Sequence, residues 1–224
     1  MINGKHITAV IPVRAGSKRL PNKNILPFGD SNLLINKIRQ LKQVENIDNI
    51  IVSSDSEEML RMAVDEGVSI HKRNIEYADE VTKTFNQVVE YIADSVEGDI
   101  LVWAPCVCPL TKVESFANAI QLFNKKVLEQ SEYDSVVSAK TFKEYLFDEK
   151  GPLNFTIKNH VPSQKLPDWK VVINGFFIAE RQKMIDWKFV YGKNPCLCIL
   201  DKKEAVDIDD ANDFEIAKAL LGMK

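Results

Sequence analysis

The sequence contains few of the residues on which histidine or disulfide chemistry depends. Its 224 residues include three histidines and four cysteines. The histidines, at positions 6, 71 and 160, are widely separated, so we expect no reaction that relies on a histidine base. A chain of this length buries a full core without covalent cross-links, so we expect no disulfides.

The cysteines form two Cys-x-Cys pairs, Cys106/Cys108 and Cys196/Cys198. Alternate residues of a strand share one face, so each pair would present two thiols together, and a four-thiolate zinc site is one interpretation. We favour the other, reduced and half-buried thiols on two strands, because zinc sites of this kind usually use Cys-x-x-Cys at turns. We therefore expect no metal at these cysteines.

Neither a strong net charge nor a long apolar run is present. The 29 Lys and Arg against 32 Asp and Glu give a formal charge of −3, which favours neither nucleic acid nor a membrane as a partner. A polyanionic ligand must then be bound by a local cluster of cations. No apolar run approaches the roughly 18 residues of a membrane span, and the stretch at 7–13 is too short for a signal peptide. We expect a cytoplasmic protein.

Short apolar runs alternate with helical patterns along the chain. Strands are predicted at 8–13, 49–53 and 99–104, and helices at 33–44, 56–66 and 112–127. Another helix opens at Thr82 or Thr84, with its buried face formed by Phe85, Val88, Val89 and Ile92. This alternation predicts a single α/β domain over 1–224, a three-layer sandwich with a mostly parallel, doubly wound, Rossmann-like sheet. Ligands of such sheets bind at the carboxyl ends of the strands.

The pattern changes after residue 137. Residues 140–170 are rich in Lys, Pro and aromatic residues and have no helical period. Glu149, Lys150 and Gly151 lie between two β-prone runs, which predicts a hairpin. We interpret this segment as a small β-rich insertion, after which the chain returns to the main sheet at 171–179.

A basic loop follows the first predicted strand, in the sequence AVIPVRAGSKRLPNKN at 9–24. Its four cations lie within ten residues, and Gly16 lets the backbone approach a ligand closely; the cations are Arg14, Lys18, Arg19 and Lys23. Backbone amides and cations together suit a triphosphate. The alternative is a solvated basic loop, and the segment lacks the Walker lysine pattern.

An acidic segment occurs near the other end, in AVDIDDANDFEIAKAL at 205–220. If residues 206–209 are extended, Asp207 and Asp209 point to the same side, roughly 6.5–7 Å apart. Two such carboxylates beside a triphosphate suit Mg²⁺ or Mn²⁺, which prefer hard oxygen ligands. The alternative is an acidic helix start in which Asp209 or Asp210 caps the helix that follows.

The string IPVRAGSKRLPNKN resembles the N-terminal signature of acylneuraminate cytidylyltransferases (CMP-sialic acid synthetases), usually I-P-A-R-x-x-S-K-x-x-P-x-K-N. The ending DIDDANDF is similar to the family's D-I-D-x-x-x-D-F. The resemblance implies a nucleotide-diphospho-sugar transferase fold, CTP and a nonulosonic acid as substrates, and a homodimer built through the insertion at about 140–170. Catalysis is then assigned to Arg14, Lys23 and Asp209, and the metal to Asp207 and Asp209. The implied nucleotide-binding residues in this loop are Arg14, Ala15, Gly16, Ser17, Lys18, Lys23 and Asn24.

Further segments extend the resemblance along the chain. In KRNIEYADEVTKT at 72–84, Arg73 and the loop up to Thr82 are implied to contact cytosine and ribose; the alternative for Arg73 is a surface ion pair. In IIVSSDSEE at 50–58, Asp55 is either a neighbour of the site or a helix cap. Sugar-binding residues are implied by INGFFI at 173–178 and SQKLP at 163–167, namely Asn174, Gln164 and Lys165.

The sequence departs from the family at Asn74, where the family has proline, and at two places that bear on the sugar. Ser163 stands where the family commonly has arginine, and VWAPCVCPLTK at 102–112 replaces the usual Pro-Thr-Ser-Pro-Leu-Arg. The family's loop lines the sugar pocket, so the sugar acid is not necessarily N-acetylneuraminate itself. Legionaminate and pseudaminate are alternative nine-carbon substrates.

The resemblance implies transfer of CMP from CTP to the anomeric hydroxyl of a sialic-acid-like nine-carbon sugar acid, with release of pyrophosphate. Two alternatives remain: a cytidylyltransferase for an eight-carbon ulosonic acid, and a noncatalytic homologue that binds nucleotide sugars. Intact Arg14, Lys23, Asp207 and Asp209 argue against the noncatalytic alternative.

Overall fold

The computed structural model describes residues 1–17, 19–78 and 82–222 of the chain. The strands are β1 (Ile7–Pro12), β2 (Pro27–Phe28), β3 (Ser31–Asn32), β4 (Asn49–Ser54), β5 (Ser69–Lys72), β6 (Ile100–Trp103), β7 (Ser135–Phe142), β8 (Phe147–Asp148), β9 (Gly151–Pro152), β10 (Trp169–Glu180) and β11 (Pro195–Ile199). The α-helices are α1 (Leu33–Lys42), α2 (Glu57–Asp65), α3 (Phe85–Ser95), α4 (Val113–Phe123), α5 (Arg181–Trp187) and α6 (Ala211–Gly222).

Seven strands form one sheet in the order β11-β7-β10-β6-β1-β4-β5. Strand β10 pairs antiparallel with both β6 and β7, whereas the other pairings in this sheet are parallel. The carboxyl ends of β1, β4, β5 and β6 therefore meet at one edge, and the first half of β10 reaches the same edge. The predicted mostly parallel α/β sheet is confirmed.

The two faces of the sheet carry separate hydrophobic cores. In β1, Ile7, Ala9 and Ile11 are buried on one face, and Val10 is buried on the other, as expected for strand alternation. Helices α1, α2, α4 and α6 cover the first face, and α3 and α5 cover the second. This produces the predicted three layers. The three predicted strands agree with β1, β4 and β6 to within one residue at each end.

Side-chain caps determine where two of the helices begin. Ser56 Oγ accepts a hydrogen bond from Met59 N and starts α2. Thr84 and Gln87 form a capping box at α3, so the helix begins after Thr84 rather than Thr82. The predicted helix at 112–127 is α4, which continues into a π-helical turn at Asn124–Glu129.

Strand β10 contains an irregularity that places Asn174 at the ligand edge of the sheet. Val172 pairs with Ala139 and Phe177 pairs with Val137, so residues 173–176 face the single residue Ser138. The Ser138 hydroxyl donates to Ile173 O (2.8 Å) and accepts from Phe176 N (2.9 Å). These bonds satisfy the backbone at a bulge, where ladder pairing is interrupted.

The segment at 140–170 contains the predicted hairpin. Strands β8 and β9 pair antiparallel, with Phe147 opposite Pro152 and Asp148 opposite Gly151. The turn residues are Glu149 and Lys150, and Gly151 belongs to β9 with φ of 126°. The role of this insertion in a homodimer stays a prediction.

The predicted strand location of the cysteines is correct for one pair and wrong for the other. Cys196 and Cys198 lie on β11. Cys106 and Cys108 lie in a loop after β6, because the strand ends at Trp103 and prolines stand at 105 and 109; proline cannot donate to a strand ladder. Both loop thiols are buried, and burial raises the pKa of Cys106 to about 11.

No helix in the described part of the chain is long and apolar enough to cross a membrane.

Candidate active site

A cleft of about 750 Å³ lies at the edge where the strands of the sheet end. It extends from the carboxyl end of β5 across β1 and β6 to the first half of β10. The polar residues that line it are Arg14, Ser17, Arg19, Lys23, Asn24, Arg73, Tyr77, Lys83, Asn174, Tyr191, Asp207 and Asp209. The basic loop and the acidic segment therefore lie in the same cleft, as the sequence predicts for a metal-bound triphosphate.

One hydrogen bond holds the basic loop to the end of β4, and another joins the two ends of the loop. Ala15 N donates to Asp55 Oδ1 (3.1 Å), and Asn24 Nδ2 donates to Arg14 O (3.0 Å). Asp55 is thus a neighbour of the site rather than the cap of α2, which is Ser56. Gly16 has φ of 71°, a left-handed conformation that suits glycine. Lys18 lies outside the described residues, so its predicted phosphate contact is not placed.

Lys23 joins the basic loop to the acidic segment. Its Nζ donates to Ile208 O (2.8 Å) and lies 3.9 Å from Asp209 Oδ1. Arg19 Nη2 lies 2.9 Å from the same carboxylate oxygen. The Lys23 side chain is only 14% exposed, against 69% for Arg19. Lys23 is therefore the better positioned of these two cations inside the cleft.

The acidic segment has no regular secondary structure at 206–209. Ile208 is fully buried and its N donates to Val107 O (2.9 Å). This pairing turns the flanking Asp207 and Asp209 towards the cleft, where both line the wall. The two carboxylates therefore line the same cleft.

Asp207 has one satisfied and one unsatisfied carboxylate oxygen. Oδ2 accepts from Asn174 Nδ2 (2.8 Å) and Asn174 N (3.3 Å). Oδ1 is buried and has no hydrogen-bond partner among the described residues. Burial raises the pKa of Asp207, the two bonds from Asn174 oppose that rise, and nearby Asp209 adds to it. A buried oxygen without a hydrogen-bond partner is rare in folded proteins.

The helix cap of α6 is Asp210, not Asp209. Asp210 Oδ1 accepts from Asn212 N (2.8 Å) and Asp213 N (3.1 Å). Asp213 Oδ2 accepts from Asp209 N (2.9 Å) and Asp210 N (3.1 Å). Asp210 and Asp213 therefore stabilise the helix start, and Asp209 directs its carboxylate to the cleft.

The carboxylates of Asp207 and Asp209 fit a hard divalent cation. No group of three or more possible metal-ligating side chains occurs within residues 1–17, 19–78 and 82–222. Mg²⁺ is usually bound by one or two carboxylates together with substrate phosphates and water. The unsatisfied Asp207 Oδ1, buried beside a second carboxylate, matches that need.

Arg73 is buried at the end of the cleft formed by β5. It is 6% exposed, so the surface ion pair considered for it is wrong. Its Nη2 donates to Val13 O and to Ser53 O, which ties the ends of β1 and β4 together. Burial lowers the pKa of Arg73 to about 10. Its contact with cytosine stays a prediction.

The loop between Arg73 and Thr82 is described only in part. Arg14 Nη1 donates to Ala78 O (3.1 Å), which joins the basic loop to this segment. Residues 79–81 lie outside the described residues. Thr82 is exposed and precedes α3; its nucleotide contact also stays a prediction.

Two of the predicted sugar-binding residues do not line the cleft. Gln164 and Lys165 form a short 3₁₀ turn, Ser163–Lys165, and both are exposed. The carbonyl of Gln164 accepts from Lys143 Nζ (2.9 Å). The third, Asn174, does line the cleft, next to Asp207.

The sequence patterns missed an aromatic wall on one side of the cleft. The wall consists of Phe85, Trp103, Phe177, Phe189 and Tyr191, which all line the cleft. Ring centroids are 5.7 Å apart for Phe85 and Phe189 and 4.9 Å apart for Phe189 and Tyr191. The helical period assigned Phe85 to the core face of α3 with Val89 and Ile92. Those two are buried, but Phe85 is 52% exposed.

Comparison with known families decides the class of the protein. The model of the family described as cytidylyltransferase matches residues 8–151. The chain belongs to the cytidylyltransferase family. The resemblance seen in the basic loop is confirmed at the level of the family.

Individual relatives of this cytidylyltransferase-family chain agree with that assignment. It is 28% identical to an Escherichia coli N-acylneuraminate cytidylyltransferase, over 94% of the chain and 51% of the relative. It therefore spans about half the length of that relative. It is 26% identical to a CMP-N,N'-diacetyllegionaminic acid synthase of Legionella pneumophila, over 96% of each protein.

A solved structure shows that the fold is shared. The structure of a CMP:2-keto-3-deoxy-manno-octonic acid synthetase complexed with CTP superposes with a TM-score of 0.69 at 12% identity, over 97% of this chain and 99% of the other. At that identity the likeness concerns the fold alone.

In this cytidylyltransferase-family chain, α1 holds the atypical 105–109 loop in place. Lys37 Nζ donates to Cys108 O (3.0 Å), and Asn36 Nδ2 donates to Pro109 O (3.0 Å). Lys37 is fully buried, and its Nζ lies 4.9 Å from the centre of the Phe116 ring. Burial lowers the pKa of Lys37 to about 8. The loop in turn pairs with Ile208, so α1 supports the acidic segment indirectly.

We expect Lys37→Met to change the pH dependence of folding. A lysine pKa lowered from 10.5 to about 8 corresponds to about 3 kcal/mol of destabilisation at neutral pH. Between these pKa values the unfolded chain binds more protons, so the wild type gains stability as the pH rises. The stability of the variant relative to the wild type should fall by about 2–3 kcal/mol between pH 7 and pH 10.

Urea denaturation at the two pH values measures this difference. Lys42→Met is the matched control, because Lys42 lies on the same helix with its side chain 42% exposed. The difference in unfolding free energy between Lys37→Met and the wild type is the quantity to compare. If it is the same at both pH values, or changes as it does for Lys42→Met, Lys37 is not a buried charged group.

Proposed function

We propose that the chain transfers the cytidylyl group of CTP to the anomeric hydroxyl of a sialic-acid-like nine-carbon sugar acid and releases pyrophosphate. The observation that carries this proposal is the position of Lys23 against Asp207 and Asp209 in one cleft of a cytidylyltransferase-family chain. Cations and carboxylates that line the same cleft suit a triphosphate bound with a divalent metal.

The order of strands supports one direction for CTP in the cleft. Arg73 follows β5 at one end, the basic loop follows β1 in the middle, and Asn174 lies on β10 at the other end. In the proposed complex, the base lies near Arg73 and the phosphates lie on the basic loop. The sugar acid then lies beside Asn174, next to the carboxylates.

Asp207 and Asp209 would hold the metal, Mg²⁺ or Mn²⁺. A divalent cation at this position supplies positive charge to the α-phosphate oxygens and lowers the pKa of a bound hydroxyl. The support is the buried and unsatisfied Asp207 Oδ1, next to a second carboxylate.

The chain's own groups contribute position and charge. The anomeric hydroxyl gives its proton to a solvent water, and its oxygen forms a bond to the α-phosphorus as the bond from that phosphorus to the pyrophosphate oxygen breaks. In this proposal Lys23 and Arg14 neutralise the departing pyrophosphate, and Asn174 keeps Asp207 in place. Phosphoryl-type transfer depends mainly on positioning and electrostatic stabilisation, which is consistent with a cleft that histidine does not line among the described residues.

A homodimer built through the insertion is part of the proposal. Exposed apolar residues occur at the end of the sheet that carries the insertion, namely Trp169, Val171, Val172, Leu197 and Ile199. Edge strands with apolar side chains are prone to association. Light scattering of the purified chain tests this directly; a monomer at micromolar concentration contradicts it.

Pyrophosphate release from CTP tests the proposed reaction. The acceptors are N-acetylneuraminate, legionaminate, pseudaminate and an eight-carbon octulosonate, each assayed with Mg²⁺. We expect release with at least one nine-carbon acid and formation of the matching CMP-sugar. Release with the octulosonate alone would assign the eight-carbon alternative. Nucleotide binding without release for any acceptor would favour the noncatalytic homologue.

A further inference from the structure

The Cys106 thiol reaches the basic loop from behind the cleft. Its neighbours Pro105 and Val107 line the cleft, whereas Cys106 does not and is only 1% exposed. Its Sγ donates a hydrogen bond to Asn24 Oδ1, at 3.2 Å. Asn24 is also buried, and its Nδ2 is the group that donates to Arg14 O (3.0 Å). A side chain that touches no ligand is thus linked to the backbone of the basic loop.

The direction of both hydrogen bonds follows from the carbonyl of Arg14. A carbonyl oxygen can only accept, so the Asn24 amide turns its nitrogen towards Arg14 O. The amide oxygen then faces Cys106, and the thiol is the donor. Burial raises the pKa of Cys106 to about 11, so the thiol keeps its proton at neutral pH. Thiol and carbonyl together fix the amide in one orientation.

A single peptide unit of the basic loop is held on both sides. Asn24 donates to its carbonyl, Arg14 O, and Asp55 Oδ1 accepts from its amide, Ala15 N (3.1 Å). Because a peptide unit is planar, these two bonds fix the orientation of the whole unit. The Arg14 side chain leaves the backbone at this unit, and both Arg14 and Ser17 line the cleft. The orientation of the unit therefore determines where the basic loop presents these groups.

The 105–109 loop keeps Cys106 in a fixed place. Val107 O accepts from Ile208 N (2.9 Å), and Cys108 O accepts from Lys37 Nζ (3.0 Å). Lys37 is fully buried on α1, so the loop is attached to the core. The thiol is consequently held at a defined distance from the basic loop.

The same loop contacts the two charged parts of the cleft by different means. The acidic segment bonds to the Val107 carbonyl, a backbone group that does not depend on the side chain at position 106. The basic loop bonds to the Cys106 side chain itself. A change confined to the thiol should therefore disturb the basic loop and leave Asp207 and Asp209 in place.

We propose that Cys106 is a positioning residue for the basic loop: its thiol fixes the Asn24 amide, and through that amide the peptide unit at Arg14, so that the loop is preorganised for the phosphates of CTP. This inference deepens the proposed function and rests on it. Without the thiol, CTP has to order the loop as it binds, and that ordering costs affinity. The dependence on Mg²⁺ stays the same, because the acidic segment is held separately.

Calorimetric titration of CTP without Mg²⁺ measures the effect on binding. Cys106→Ala should raise Kd about 5-fold, as expected for the loss of one net hydrogen bond. Cys106→Ser keeps a hydroxyl donor and should retain most of the affinity. Wild-type affinity in Cys106→Ala, or equal losses in the alanine and serine variants, overturns the proposal.

Cys108→Ala is the matched control for loss of packing. Cys108 is as deeply buried as Cys106 in the same loop, but its bonds from Lys37 and Thr111 are made to its carbonyl. The control should bind CTP like the wild type. An equal loss of affinity in Cys108→Ala and Cys106→Ala would show that Cys106 serves the core alone, and the proposal would be wrong.

Steady-state kinetics locates the effect within the cleft. Cys106→Ala should raise KM for CTP about 5-fold and leave the Mg²⁺ concentration for half-maximal rate unchanged. In an Asn24→Ala background, Cys106→Ala should have no further effect, since the two residues act along one path. A changed Mg²⁺ requirement, or additive losses in the double variant, contradicts a role that acts through Asn24.

Hydrogen exchange of the ligand-free chain separates this inference from the proposed function. Backbone amides of residues 13–24 should exchange about 5-fold faster in Cys106→Ala than in the wild type, and at nearly the wild-type rate in Cys106→Ser and Cys108→Ala. Unchanged exchange in Cys106→Ala overturns the positioning role whatever the chain does with CTP. Faster exchange in a chain that binds no CTP supports the positioning role and rejects the proposed function instead.

Discussion

Asp209→Asn is expected to lower the rate of cytidylyl transfer about 10³-fold, and Asp207→Asn to act similarly. An amide is a poorer ligand for a hard cation than a carboxylate is. The metal ion that would offset the charge of the phosphates is then bound less tightly. Asp207→Asn also introduces a neutral amide where the buried Oδ1 has no partner among the described residues. The measurement is kcat/KM for pyrophosphate release across a series of Mg²⁺ concentrations.

The two substitutions should not be additive. Residues that bind one ligand act as a unit, so the double variant should be little slower than either single variant. Raising Mg²⁺ should partly restore the single variants, since they keep one carboxylate. A multiplicative loss in the double variant, with no response to Mg²⁺, would contradict a shared metal site.

Asp210→Asn and Asp213→Asn are the matched controls. Both carboxylates accept backbone hydrogen bonds at the start of α6, and asparagine caps helices nearly as well as aspartate. We expect stability to change by about 1 kcal/mol or less and turnover to stay near normal. If Asp210 or Asp213 proves essential and Asp209 does not, the assignment of the metal ligands is wrong.

Lys23→Ala is expected to lower kcat/KM by about 10²–10³ while the protein stays folded. The substitution removes a cation from the centre of the cleft and a hydrogen bond from Lys23 Nζ to Ile208 O (2.8 Å). The phosphates then lose a stabilising charge, and the acidic segment loses one of its two backbone anchors. Steady-state kinetics and a thermal melt distinguish loss of charge from loss of structure.

Arg19→Ala is the comparison for Lys23→Ala. Arg19 pairs with the same carboxylate at 2.9 Å, but its side chain is 69% exposed, and exposed ion pairs contribute little. We expect an effect at least about 10-fold smaller than that of Lys23→Ala. Near-normal turnover in Lys23→Ala would remove Lys23 from the mechanism.

Local patterns in the sequence were sufficient for three strands of the sheet and for the start of α2. Strands β1, β4 and β6 are short, apolar and β-branched, and Ser56 has the chemistry of an N-cap, so each could be identified from its own neighbourhood. The shared direction of Asp207 and Asp209 could be predicted for the same reason, because side chains alternate in any extended segment.

Other features depend on contacts between distant segments. Arg73 is buried because carbonyls from the ends of β1 and β4 surround it, and no pattern near residue 73 contains that information. The aromatic wall joins residues 85 and 189, which are far apart in the chain. The 105–109 loop was assigned to a strand because its alternating cysteines suggested one, although the flanking prolines indicated otherwise.

The bulge in β10 makes the site sensitive to chain length at one place. Residues 173–176 of β10 lie opposite the single residue Ser138 of β7, whose hydroxyl bonds to their backbone. A Cβ added at Gly175 would lie 3.0 Å from Ser138 Oγ. Deleting one residue there would shift the residues before the bulge by one position relative to those after it, which would take Asn174 from Asp207. A deletion in the exposed hairpin turn at 149–150 has no such effect. We therefore expect a one-residue deletion at 173–176 to impair the site far more than a deletion of the same size at 149–150.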